Sequence, residues 1–460
     1  MSGSANAAGR EDRIAGWRLA ALAAVAFPIA GAGLPLTVYL PPIYVQEFGL
    51  PLATIGAVFL FGRLWDMLSD PLIGSLSDRA RPRFGRRRSF IAVGGLLFGA
   101  AAALLFFPPG GVVTPLSLGA VLFFFYLGWT MVQVPLLAWS GELSAHYHER
   151  TRIVTYQQVV TILAMLVALV LPTVMDQVRP GDGRFKMAIM GGFIMVTLLP
   201  ALALTLFAVP EPAPPARPPA GLQFGKAVGL ILGDRLLLRV LGSDFAVTLA
   251  QYVRSTLFVF FVSFYMGLPQ WASGLFLFQF VFGVFAGPIW LRIGYRLGKH
   301  RAAVLGELSQ VAINLGLLLV TPGNLAALIG LTLAQGLAQN SGNLMLRSIV
   351  ADVADKHRLE TGADRAGLFF SVFSLSGKAA IAVAVGVALP LIAWLGFDPK
   401  AGAASAGLEG LKWVFALGPA LAHALSAALV WGFPLDEARH AEIRRALDEE
   451  VDAATLCPAE

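Results

Sequence analysis

The stretch RLWDMLSDPLIGSLSDRARPRFGRRR, residues 63–88, decides the fold class of this chain. It places Arg63, Asp66 and Asp70 directly after the apolar run ATIGAVFLFG (53–62). A charged side chain at the centre of a bilayer costs roughly 2.5–3.5 kcal/mol on insertion scales, so charges at this depth are rare unless they have a function. The stretch therefore indicates a membrane helix that carries a functional group of charges.

The composition of the whole chain agrees with a membrane protein. Of its 460 residues, 57% are hydrophobic and only 13% are charged, whereas a soluble domain has about 25% charged residues. The net charge of +6 does not indicate nucleic-acid binding, because the basic residues lie in short loops, where they set membrane topology. A single cysteine, Cys457, excludes a disulfide within the chain.

Apolar stretches of about 20 residues predict twelve membrane-spanning helices. The predicted spans lie near 19–46, 52–77, 89–108, 114–142, 152–176 and 185–208 in the first half, and near 237–266, 271–294, 300–320, 324–352, 365–396 and 410–433 in the second. The predicted organisation is a leader (1–18), a six-helix bundle (19–208), a proline-rich linker (209–236), a second bundle (237–433) and a tail (434–460) that forms a short helix.

Lysine and arginine positions predict the orientation of the chain. They concentrate in the leader, in the loops after the second, fourth, eighth and tenth spans, and are absent from most of the alternate loops. Positive residues stay on the cytoplasmic side. We therefore expect both termini and the linker in the cytoplasm, in a multi-pass protein of the plasma membrane, which in a bacterium is the inner membrane.

Residues 63–88, together with ADVAD (351–355) and DRAGLFFSVFSLSGK (364–378), resemble the glycoside–pentoside–hexuronide:cation symporter family of the major facilitator superfamily. The resemblance covers most of the chain. It implies an all-α membrane protein with the major facilitator fold, in which twelve transmembrane helices form two six-helix bundles. It also implies secondary active symport of a sugar or glycoside-type solute, coupled to Na⁺ or H⁺, by alternating access.

The family's cation-site residues carry over to this sequence. Its two cation-site aspartates fall on Asp66 and Asp70, the polar ligand between them on Ser69, and a threonine of the fourth helix on Thr130. Its charge partners fall on Lys378 and Arg63. The positions where sugar-transporting members bind sugar do not carry over, because they hold Ala30, Gln133 and Gln158.

The spacing of Asp66 and Asp70 indicates a cation site independently of the family resemblance. Spacing of i, i+4 places both carboxylates on one helix face, with Ser69 beside them. Paired carboxylates with a hydroxyl oxygen suit Na⁺ or a shared proton. The alternative is a static ion pair with Arg63 and a lysine of the second half. For Lys378 the alternatives are a pair with these carboxylates, or a side chain that extends to the cytoplasmic surface.

Polar residues inside other predicted spans are candidates for a substrate cavity. Tyr126, Trp129 and Gln133 recur at helical spacing in the fourth span, and Gln158 and Arg254 lie in the fifth and seventh. The alternative for the aromatic stripe is packing against lipid or other helices, and for Arg254 a structural pair with Asp244. Amides in the tenth span, at Gln335, Gln339, Asn340 and Asn343, favour hydrogen bonds to neighbouring helices.

The basic loop after the second span has two compatible roles. Its arginines anchor the topology. The resemblance also implies a conformational latch, formed by Asp78, Arg79, Arg86 and Arg87, that bridges the halves on the cytoplasmic side.

No motif of a hydrolase, zinc enzyme or nucleotide-binding loop occurs in the sequence, so we expect no enzyme activity, no metal site and no cofactor other than the coupling ion. The expected partners are a small-molecule substrate, the cation and the lipid bilayer, with no nucleic acid, and the chain is expected to act as a monomer. Two alternatives stay open: a cation-coupled carrier of lysolipids or other amphiphiles, and a non-transporting receptor or scaffold. Retention of the costly charged set argues against the second.

Overall fold

Helices form nearly all of the chain that the computed structural model describes, namely residues 14–111, 113–143, 147–209, 211, 224–363 and 365–456. The helices are α1 (Gly16–Ala23), α2 (Ala26–Phe48), α3 (Leu52–Arg79), α4 (Arg86–Phe106), α5 (Pro115–Glu142), α6 (Tyr147–Val178), α7 (Gly183–Ala208), α8 (Phe224–Gly233), α9 (Arg235–Phe260), α10 (Ala272–Leu297), α11 (Lys299–Gly316), α12 (Leu325–Ala338), α13 (Ser341–Thr361), α14 (Ala366–Trp394), α15 (Leu408–Val430) and α16 (Glu437–Leu456). None of these described residues forms a strand.

Within the described ranges, 11 helices are long and apolar enough to cross a membrane. The difference from the predicted twelve lies in the span near 324–352, which is not one continuous helix. It is divided into α12 and α13 at Gln339, which is extended, and Asn340, whose φ of 63° is left-handed. Asparagine tolerates this conformation better than most residues. The following Ser341 and Gly342 also favour a turn over a helix interior.

Local sequence signals explain where several helices begin. Asp182 and Asp234 accept hydrogen bonds from the first backbone N–H groups of α7 and α9, as N-cap aspartates do. Thr114 and Ser117 cap each other reciprocally at the start of α5. In α2, Pro35 opens a π-helical turn over Pro35–Tyr39, because proline has no N–H to continue the α-helical ladder.

The chain divides into two compact units. The first contains α1 to α7 and the segment Pro269–Gly274, and the second contains the rest of the chain from Ala220. The core of the second unit is a cluster of apolar side chains that includes Leu237, Trp290, Met345, Phe369 and Val430.

The same helix start occurs in both units. Gly85 precedes α4 with a φ of 114°, and Gly298 precedes α11 with a φ of 83°. These backbone conformations favour glycine, which explains why the motif Gly-basic-basic follows the second span of each half. Residues 70–88 and 287–301 each contain a proline followed by this glycine and basic residues, and they form an equivalent turn in each unit.

The segments outside the spans are more helical than the composition indicates. The stretch 209–236, predicted as a proline-rich linker, contains the helix α8 and the first residues of α9. The tail is helical over Glu437–Leu456 as predicted. In α16, His440 and Arg444 contact Asp355 of α13 at 3.1 Å and 3.5 Å. Most of the predicted leader lies outside the described residues, as does Cys457.

Candidate cation site

Helix α3 carries Asp66, Ser69 and Asp70 at positions i, i+3 and i+4, so their side chains share one face. Asp66 and Ser69 are buried. Pro71 follows Asp70 inside the helix and cannot donate the backbone hydrogen bond that the carbonyl of Met67 would accept. The local backbone is therefore richer in acceptor oxygens than a regular helix.

The hydroxyl of Thr130, on α5, joins the three α3 residues into one cluster. Thr130 Oγ1 lies 3.2 Å from Asp66 Oδ1, 3.2 Å from Asp70 Oδ1 and 3.1 Å from Ser69 Oγ. Ser69 also donates to the backbone carbonyl of Asp66 at 3.0 Å. The structure thus brings together all four residues that the family resemblance assigns to a cation.

Within this cluster, acceptor oxygens outnumber hydroxyl protons. Ser69 and Thr130 each have one proton to donate, while two carboxylate oxygens and the Asp66 carbonyl can accept. The proton of Thr130 can serve only one carboxylate at a time. Carboxylate and hydroxyl oxygens are the ligands that hard cations prefer, so the cluster has the chemical composition of a cation site.

A regular register between α3 and α5 positions this cluster. A Cβ on Gly62 would lie 2.8 Å from the Tyr126 ring, and one on Gly74 would lie 3.6 Å from a Val134 methyl. The contacts therefore advance in the same direction along both helices, from 62 and 126 through 66, 70 and 130 to 74 and 134. Small residues let membrane helices approach closely, and here two glycines flank the charged turn.

The other candidate residues of the first unit lie on α3, α5 and α6. The Arg63 guanidinium lies 5.1 Å from the centre of the Tyr126 ring, at the range of a cation–π contact. Trp129 donates through Nε1 to Gln133 Oε1 at 2.5 Å, and Gln133 is exposed in the isolated chain. Gln158, on α6, is also exposed. Trp129 and Gln133 thus form a pair, whereas Tyr126 is buried against α3.

Two further candidates belong to the second unit. Arg254 is buried, donates through Nη1 to Asn314 Oδ1 at 2.9 Å, and lies 5.1 Å from the centre of the Phe415 ring. Lys378 is half-buried in α14 and lies twelve residues from its start at Ala366, or about 18 Å along the axis. Its position is well inside the helix rather than at its end.

The amides of the interrupted tenth span behave as predicted at two positions. Asn343 Oδ1 accepts from Gln251 of α9 at 2.7 Å. Gln339 Oε1 accepts from Gln279 of α10 at 3.4 Å. Both are hydrogen bonds between helices.

The basic loop after α3 forms a network inside the first unit. Arg87 binds Asp78 at 2.6 Å, Glu142 at 2.7 Å and the Ser77 hydroxyl at 2.5 Å. Arg86 binds the same Glu142 oxygen at 2.8 Å, while Arg79 is exposed. The latch role of these residues stays a prediction.

Sequence reasoning missed two acidic residues of this network. Glu142 ends α5 and forms an ion pair with each of the two buried arginines. Glu211 accepts from the backbone N–H groups of Arg87 and Arg88 at 2.7 Å and 3.3 Å. Its carboxylate thereby takes the place of a capping side chain, which Gly85 lacks. The sequence signal for each was an isolated acidic residue: Glu142 ends the predicted span 114–142, and Glu211 lies just after the predicted span 185–208.

Comparisons with known proteins place these features in context. The MFS/sugar transport protein family matches residues 21–437. The putative glycoside/cation symporter YagG of Escherichia coli (strain K12) is 25% identical over 88% of each chain. The sodium-dependent lysophosphatidylcholine symporter 1-A of Danio rerio is 22% identical over 90% of this chain and 86% of that protein. A solved D-xylose-proton symporter is similar in fold, with a TM-score of 0.63, 16% identity and coverage of 91% and 97%.

Proposed function

Since the chain belongs to the MFS/sugar transport protein family, we propose that it is a cation-coupled symporter for a sugar or glycoside-type solute. Family membership confirms the resemblance that residues 63–88 carry, and the similar solved transporters confirm the all-α major facilitator fold. The protein is a multi-pass membrane transporter. Coupling to Na⁺ or H⁺, and the class of solute, are the parts that we propose.

One observation supports cation coupling above all, namely the convergence of three oxygen-bearing side chains of α3 on Thr130 Oγ1. Both carboxylates project from α3, a helix apolar enough to span the membrane. Holding two acids there is costly unless positive charge compensates them. A cation that enters this cluster would bind these oxygens and would couple its own gradient to the movement of the solute.

Ligand-dependent stability of the purified chain tests this proposal. A ligand that binds only the folded state raises its stability by about 2.7 kcal/mol at a hundred times its Kd. We expect a panel of sugars and glycosides to contain a compound that raises the unfolding temperature, and we expect the rise to be larger with the coupling cation, Na⁺ or H⁺, than without it. No cation-dependent rise with any compound of the panel would contradict the proposal.

A second candidate is a carrier of lysolipids or similar amphiphiles. Two observations favour it: the similarity to a sodium-dependent lysophosphatidylcholine symporter over 90% of this chain, and the uncharged residues Ala30, Gln133 and Gln158 at the positions where sugar-transporting relatives recognise sugar. Lysophosphatidylcholine in the same panel separates the two candidates. A cation-dependent rise with the lysolipid alone favours the amphiphile carrier.

We further propose that the protein lies in the inner membrane of a bacterium with its termini in the cytoplasm. Cys457 is the single cysteine of the chain, so one thiol reports the side on which the tail lies. A membrane-impermeant thiol reagent should label inside-out vesicles and leave intact spheroplasts unlabelled. A Cys457→Ser variant controls for background, and labelling of intact spheroplasts would reverse the proposed orientation.

A further inference from the structure

Two titratable side chains form a buried pair inside the second unit, outside the candidate cation site. His423 Nδ1, on α15, lies 2.6 Å from Glu307 Oε2, on α11. Their side chains are 1% and 3% exposed. Both helices are apolar membrane spans, so an acid and an imidazole meet at membrane depth.

The Glu307 carboxylate lies against the start of α13. A Cβ on Gly342, the second residue of α13, would collide with Glu307 Oε1. This helix begins where Asn340 interrupts the tenth span. Because the N-terminus of a helix carries partial positive charge, the interruption places a favourable dipole beside the acid. The glycine lets the carboxylate reach the backbone.

One nitrogen of the His423 ring is available to bind a proton. Its Nε2 atom is buried and has no hydrogen-bond partner within the described part of the chain. Gln310, one turn beyond Glu307 on α11, is likewise buried with both amide atoms unpartnered in that part. A neutral imidazole that donates through Nδ1 to a carboxylate keeps a free lone pair at Nε2. A proton can be added there without breaking the bond to Glu307.

The other charged groups near the pair do not form an ion pair with Glu307 in the described part of the chain. Within the described residues, the ion pair with His423 is the one that Glu307 forms. The helices packed against the pair, and the two helices of the pair, carry further titratable or charged groups. These are Arg235, Arg239, Asp244, Tyr252 and Arg254 on α9, Lys299, His300 and Arg301 at the start of α11, Lys378 on α14, Glu409 and Lys412 at the start of α15, and Arg347, Asp352, Asp355, Lys356, His357, Arg358 and Glu360 on α13. Arg239 binds the backbone carbonyls of Leu429 and Trp431, and Arg254 binds Asn314. α12 and the first six residues of α13 carry no charge.

We propose that Glu307 and His423 bind one exchangeable proton, so that the second unit contains an H⁺ site separate from the oxygen cluster on α3. A buried carboxylate needs a positive partner. An imidazole is the side chain whose charge most readily changes between pH 5 and 8. With the proton on His423 the pair is an ion pair, and without it the carboxylate keeps only a neutral donor and the α13 terminus. This proposal does not depend on cation binding at Asp66 and Asp70.

The pH dependence of the pair's coupling tests the proposal. The full chain is unfolded reversibly in mixed micelles as the wild type, Glu307→Gln, His423→Gln and the double variant, which together form a double-mutant cycle. We expect the coupling between the two positions, expressed as an equilibrium constant, to be roughly tenfold larger near pH 5.5 than near pH 8.5, because a protonated imidazole adds a charge–charge attraction to the hydrogen bond that the neutral ring donates to the same carboxylate. Equal coupling at both pH values would overturn the proposal.

A control variant and the double variant keep the test decisive. Ser426→Ala, on the same helix as His423, removes the buried Ser243–Ser426 hydrogen bond of 2.7 Å and should lower stability equally at both pH values. If a single variant does not fold, the double variant, with two amides in place of acid and imidazole, suffices. Under the proposal, the pH dependence of unfolding contains a one-proton component in the wild type and lacks it in the double variant. Retention of that component would assign the proton to another group.

Discussion

Replacement of Asp66 or Asp70 by asparagine is expected to abolish cation-driven uptake while the protein stays folded in the membrane. Asparagine keeps the size of the side chain and one acceptor oxygen, but it removes a full negative charge from a cluster in which Thr130 Oγ1 lies 3.2 Å from both carboxylates. Loss of an outer-shell partner alone weakens metal binding about 10–100-fold. We therefore expect a loss of cation affinity of at least about 100-fold. Cation-dependent unfolding temperature and solute uptake measure this effect.

Variants of neighbouring hydroxyl residues test whether the Thr130 hydroxyl takes part directly in cation binding or whether loss of any hydroxyl on these helices has the same effect. Thr130→Val removes the hydroxyl that contacts both carboxylates, and Thr130→Ser restores it. Ser75→Ala is the matched control on α3, because the exposed Ser75 hydroxyl donates, among the described residues, to the Leu72 carbonyl one turn earlier. We expect cation affinity to fall in Thr130→Val, to recover in Thr130→Ser and to stay unchanged in Ser75→Ala. Unaltered cation dependence in both aspartate variants would refute the assigned site.

Substitution of Glu142 by glutamine is expected to destabilise the first unit strongly. Glu142 binds Arg86 at 2.8 Å and Arg87 at 2.7 Å, and Arg87 is only 3% exposed. Removal of one partner leaves an uncompensated buried charge, which costs about 3–5 kcal/mol. Here Asp78 still contacts Arg87, so we expect a loss of about 3 kcal/mol. Reversible unfolding in mixed micelles measures this loss.

Asp78→Asn provides the matched control for this prediction. Asp78 contacts the same arginine at 2.6 Å but is 55% exposed, compared with 27% for Glu142. An exposed ion pair contributes about 0–1 kcal/mol, so this variant should remain within about 1 kcal/mol of the wild type. Similar losses in both variants would mean that burial does not distinguish the two contacts.

The positions of the helices follow almost entirely from the sequence. Hydropathy and length are local properties, and the N-cap residues Asp182 and Asp234 mark helix starts that can be recognised without a partner. The exception is the tenth span. Its apolar character extends across Gln339 and Asn340, and no proline marks the break, so the interruption depends on how α11 packs against Ser341 and Gly342.

Part of the candidate site follows from spacing alone. Helical periodicity is fixed by the backbone, so Asp66, Ser69 and Asp70 had to share a face. Thr130 is sixty residues or more away from them, and its place beside both carboxylates depends on the glycine-lined register of α3 against α5. The sequence indicated it only through the family resemblance.

By itself, then, the sequence determined that the chain is a multi-span membrane protein and that two carboxylates occupy one turn of its second span. Only the tertiary structure decided which distant groups meet. Glu142 lies 55 residues from Arg87, and Glu307 lies 116 residues from His423. The physical reason is that hydropathy and helical period depend on neighbouring residues, whereas the desolvation of a charge must be compensated by whatever another helix brings within hydrogen-bonding distance.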